Sequence, residues 1–165
     1  MKKLILLCTL ALLTLIGNAQ NVSYQLADVV SESNGEVTFN LHVFCNSKNE
    51  LNKSACLAGI RCIMFNGIPK TKFAKPLLNE GEKSLIENHP GYFSNLYNDR
   101  FDDYVKECIM LSKYKKSGVG KGTLFQVTVR VFDLRKDLEK NNIKKTFEEK
   151  SPKIQAETME VMKKI

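Results

Sequence analysis

Histidine is scarce, with two in 165 residues. His42 and His89 stand far apart in the sequence, and neither has a His or Glu partner at helical ligand spacing. That argues against a histidine-built metal centre. Long apolar runs are scarce too. Only Leu4–Ile16 qualifies, and it is too short to span a bilayer comfortably, so no transmembrane helix is expected. A phosphate loop is missing. Ser117–Thr123 has the look of one, but Lys115 stands where the loop needs its first glycine. Gly122 stands where it needs Ser or Thr, and the stretch leads into a strand. A calcium loop is missing as well, because Asp99, Asp102 and Asp103 cluster around Arg100 without its spacing. Cys45 and His42 lie three residues apart on an expected strand and point to opposite faces, so they make no nucleophile pair. With no catalytic, cofactor or metal constellation, the chain reads as non-enzymatic.

What is present begins with a secretory leader. Lys2 and Lys3 form a charged start, Leu4–Ile16 an apolar core, and Gly17-Asn18-Ala19 a small-x-small cleavage site, making residues 1–19 a signal peptide. Leu7 before Cys8 is not the small residue a lipobox needs. Residues 20–147 are expected to form a single domain, and residues 148–165 an amphipathic C-terminal helix. The formal charge of +7 falls to +5 once Lys2 and Lys3 are removed. That mild basicity favours acidic envelope polymers as partners, while export argues against nucleic acid.

Four cysteines follow the leader: Cys45, Cys56, Cys62 and Cys108. An exported chain can form disulfides. Cys56 and Cys62 share a helix with about 9 Å of axial rise between them, too far to bridge. Two full pairings remain open. The simpler expectation is four small buried thiols, since three of them sit in apolar runs.

The chain is organised around Ser47–Pro69. Ser47 and Glu50 have capping-box spacing. Apolar residues from Ala55 to Phe65 cover nearly the whole circumference, which predicts a helix buried on several sides. Asn66-Gly67 and Pro69 supply the stop. Ala55, Ala58, Gly59 and Cys62 form a small-residue face suited to lying close against a sheet.

Strands flank this helix. Val22, Tyr24 and Leu26 suggest the first. Val37, Phe39, Leu41 and Val43 alternate with Thr38, Asn40 and His42, with an Asn34-Gly35 turn between the two strands. Tyr104–Lys113 and Leu124–Phe132 read as a second hairpin joined by a basic tip. Asp133 is expected to cap a helix over 134–141. Between the halves lies an irregular stretch, 68–103, with a turn at His89-Pro90-Gly91 and aromatics at helical spacing. The order predicts an α+β fold: an antiparallel sheet of about four strands in two hairpins, with a central buried helix and further helices on one face.

The segments Cys62–Pro69, Lys75–Leu78, Tyr92–Val105 and Val131–Glu139 together resemble a family of exported proteins of the Bacteroidetes whose function is unknown. The resemblance covers roughly residues 50–147. The Ala19-Gln20 junction is similar to leader cleavage sites common there. A more distant likeness is to small envelope domains of the lipoprotein-20 and curli-assembly type, from which this chain departs by lacking a lipobox. The expected function is an exported, periplasmic or extracellular domain that binds a protein or envelope component. The expected contact surfaces are the aromatics Tyr92, Phe93, Tyr97 and Phe101 and the basic tip Lys115, Lys116 and Lys121. The alternative is an apolar-ligand carrier with a pocket between the central helix and the sheet.

Overall fold

The computed structural model describes residues 23–45, 47–117 and 120–144. The leader expected at residues 1–19 and the helix expected over 148–165 lie outside them. In chain order the elements are β1 (Ser23–Ser33), β2 (Glu36–Phe44), α1 (Leu51–Arg61), α2 (Glu82–Asn88), α3 (Pro90–Asn98), β3 (Val105–Met110), β4 (Lys115–Ser117), β5 (Gly120–Arg130) and α4 (Val131–Lys140). The fold is α+β, an antiparallel sheet with helices packed on one face.

Asn34 and Gly35 make the first hairpin turn with φ of 50° and 79°. Two positive φ values suit the right-handed twist of the strands they join. β1 runs further than its alternation suggests. Irregularities between Leu26 and Asp28, and between Val29 and Ser31, interrupt the period without ending the pairing. β2 then pairs along its other edge with β5, from Glu36 opposite Arg130 to Phe44 opposite Gly122. β3 and β4 share the far edge of β5 in succession. The strand order is β1-β2-β5-β3.

One sheet face carries Val37, Phe39, Leu41, Val43, Phe125, Val127 and Val129, all fully buried. Each such side chain contributes about 1.5–3 kcal/mol through removal from water. The reverse face carries Thr38, Asn40, His42, Gln126 and Thr128. There the Thr38 and Thr128 hydroxyls share a hydrogen bond of 2.9 Å, and Asn40 donates to both carboxylate oxygens of Asp28.

α1 lies across the strands, meeting β3, β5 and β2 in turn. Its small face rests on the sheet, as the sequence predicts. A Cβ built on Gly59 would sit 2.7 Å from Val127 Cγ1. The helix continues into a π-helical turn, Cys62–Asn66, and stops at Gly67 with φ of 73°. At its start Ser47 precedes a 3-10 turn, Lys48–Glu50, and makes no side-chain cap hydrogen bond, so the expected capping box does not form.

The stretch 68–103 is more regular than expected. α2 and α3 follow one another with His89 between them, and Pro90 is the first residue of α3, where its missing N–H costs nothing. Leu85, Phe93 and Leu96 tie both helices to the core. α4 begins at Val131, so Asp133 lies in its first turn instead of capping it. Val131, Leu134 and Leu138 form its buried stripe. No helix among the described residues is long and apolar enough to cross a membrane.

Candidate functional site

The aromatic segment serves first as structure. Phe93 is 1% exposed and belongs to the core, which removes it from the expected contact surface. Tyr92, Tyr97 and Phe101 are half-buried against that core. The rings of Tyr92 and Phe93 meet edge to face at 5.3 Å, and the ammonium of Lys53 lies 5.6 Å from the centre of the Phe101 ring.

Two polar clusters, built from residues distant in sequence, anchor the segment. The first joins α3 to α4. The Tyr92 hydroxyl donates to Asp137 Oδ2 at 2.8 Å, and Arg100 reaches Oδ1 at 3.0 Å. Arg100 also donates to the Tyr104 hydroxyl and to Asp103 at 3.1 Å. Burial pushes the Asp137 carboxyl up, but hydrogen bonds from Tyr92, Arg100 and Tyr104 outweigh it and hold the carboxyl below its usual range. Burial, and then the bond to Asp137, raises the Tyr92 phenol. The second cluster joins α1, α2 and α3. Arg61 pairs with Glu82 at 2.6 Å, and the Tyr97 hydroxyl donates to the other Glu82 oxygen at 2.9 Å. Beside them the Tyr24 hydroxyl donates to Asn66 Oδ1 at 2.7 Å. In both clusters the carboxylate is held by an arginine and a tyrosine. A carboxylate so occupied is a clasp between helices, with a poor claim to general-base work.

The basic tip is a true hairpin. β4 pairs with the start of β5, and the register sets position 116 opposite position 121. Lys121 is exposed. The side chains of Lys115 and Lys116 lie outside what the structure describes. Nearby, an open cleft of about 420 Å³ sits on the reverse sheet face, lined by Gln25, His42, Phe44 and Lys113 among others. Gly122 forms part of its floor, where an added Cβ would meet the Phe44 ring at 2.7 Å. Among the described residues the cleft has no carboxylate in its lining. No group of three metal-ligating side chains occurs among the described residues.

The feature the sequence reading passed over is the outer edge of the sheet. Among the described residues β3 pairs with β5 on one side and with no strand on the other. Ile109, Met110 and Leu111 follow one another there at 41%, 44% and 47% exposure. The Leu111 N–H bonds the Leu124 carbonyl at 2.8 Å. By strand alternation, the Met110 N–H points away from the sheet. The available signal was the run Cys-Ile-Met-Leu, which reads equally well as a buried strand.

Compared with known proteins, the chain has no matching family model, and no curated protein or solved structure gives a significant match.

Proposed function

We propose that the chain is an exported, non-enzymatic domain that binds an extended segment of a partner protein along the outer edge of β3. The observation that carries this reading is the exposed Ile109–Leu111 run on an edge that no strand pairs with among the described residues. Folded proteins ordinarily blunt such edges with charge, proline or a covering loop. Three consecutive apolar residues beside outward N–H groups suit a partner strand. That strand would bond the backbone and pack side chains on both faces. The leader pattern and the resemblance to exported Bacteroidetes proteins support export. The basic hairpin tip supports an accessory contact with an acidic envelope polymer. For the carrier alternative, Gly59 against Val127 leaves no room for a ligand at that point between helix and sheet.

The test uses Met110→Pro, which removes an outward N–H while leaving the Leu111 bond to β5, and Ile109→Lys, which charges the edge. Both variants and wild type are used to capture binding proteins from envelope extracts. A protein that wild type retains, and that each variant loses at least about tenfold, supports strand addition; tenfold corresponds to about 1.4 kcal/mol. Equal capture by all three, with unchanged circular dichroism, would remove the edge from the reading.

A further inference from the structure

We infer that Cys56 and Cys108 form an intramolecular disulfide that staples α1 to the edge strand β3. The inference depends on the proposed export only for its oxidising surroundings; the geometry stands apart from it. Cys56 is in the middle of α1 and Cys108 is in β3, yet their thiols face one another closely enough to hydrogen-bond. Cys56 is 7% exposed, and Cys108 is half-buried against the same core. Gly59, one turn on from Cys56, seats α1 against Val127, and Val127 stands opposite Cys108 in the register of β3 with β5. Lys53 over Phe101 pins the same corner from the preceding turn.

The other two cysteines are engaged elsewhere. The Cys45 thiol donates to the Ser47 carbonyl at 3.0 Å. Cys62 lies at the far end of α1 near Tyr24, its thiol pushed up to about 12 by burial. Of the pairings open in the sequence, Cys56 with Cys108 is the one whose thiols share a hydrogen bond among the described residues. The shared hydrogen bond holds the Cys56 thiol below its usual range and pushes Cys108 up. Cys56 is thus the readier thiolate once exchange begins.

The oxidant is itself a disulfide, carried by a thiol–disulfide oxidoreductase or by glutathione. The Cys56 thiolate attacks one oxidant sulfur and expels the other as a thiolate. Cys108 then loses its proton and attacks the Cys56 sulfur. The new S–S bond forms, and the second oxidant sulfur leaves as a thiolate. Two cysteine thiols are oxidised, one oxidant disulfide is reduced to two thiols, and those thiols take up the two protons.

The experiment starts from the full-length chain purified under reduction and transferred to an oxidising glutathione buffer. Free thiols are alkylated, and the digest is mapped by mass spectrometry. The expected product is a peptide pair joined through Cys56 and Cys108, with Cys45 and Cys62 alkylated. The Cys45→Ser/Cys62→Ser variant keeps the same link. Closing a loop of this length should make Tm fall by about 10 °C when reductant is added. Recovery of alkylated Cys56 and Cys108 overturns the inference, as does a link from either one to Cys45 or Cys62, or a melt indifferent to reductant. Alkylation in intact cells tests export separately. A chain that cross-links when purified but is reduced in its host retains the geometry and counts against export.

Discussion

At the scale of single residues, Asp137 has the clearest consequence. It accepts from Tyr92 and Arg100 and sits 14% exposed in its ion pair. Asp137→Asn should destabilise the fold by about 1.5–3 kcal/mol at neutral pH, the usual worth of hydrogen bonds to a charged group. Its folded pKa lies below the unfolded value. Its contribution is therefore complete above about pH 4 and is lost as pH falls through the folded value. Urea denaturation at a series of pH values should show wild type losing stability on acidification more steeply than the variant. Gly59 makes a second case. Gly59→Val should cost about 1–3 kcal/mol by forcing α1 off Val127, read as a lowered Tm. Gly59 was legible in the sequence because small residues at helical spacing signal a close approach. Asp137 was not, because its partners come from two other elements and no local spacing marks them.

The elements divide in the same way. β2 and β5 were plain, since strict alternation survives wherever one face is buried and the other is wet. α1 was plain because its apolar run is long and ends in Gly and Pro. β1 was cut short in the reading because two irregularities break its period. α2 was missed because seven residues with one fully buried side chain, Leu85, show no periodicity. The exposed edge of β3 was invisible for another reason: exposure depends on which strand lies outermost, and strand order is a tertiary property. At this scale the first hairpin turn is testable. Gly35 has φ of 79°, which a residue with a Cβ adopts at a cost. Gly35→Ala should lose about 1–2 kcal/mol, measured as a lower urea midpoint with unchanged slope.

At the scale of the whole molecule, charge and topology matter most. The full chain carries a formal charge of +7, which removal of the proposed leader would lower to +5, and the hairpin tip carries Lys115, Lys116 and Lys121. The triple substitution of these lysines by Glu should release the protein from anionic envelope polymer in a sedimentation assay. Wild type should be released progressively by salt, as the screening length shrinks from about 10 Å at 0.1 M to about 3 Å at 1 M. Unchanged sedimentation of the triple variant would exclude the tip as a contact.

The position of α1 across the sheet also governs when the chain can fold. β2 finds its second neighbour only in β5, with Glu36 opposite Arg130. α1 needs strands from both hairpins beneath it before its small face is covered. The first half therefore cannot close a core until residue 130 has emerged. Such distant pairings slow folding relative to a chain built from local contacts. A nascent polypeptide wired in this way stays pliable through most of its synthesis, the condition a narrow translocation channel requires of its cargo.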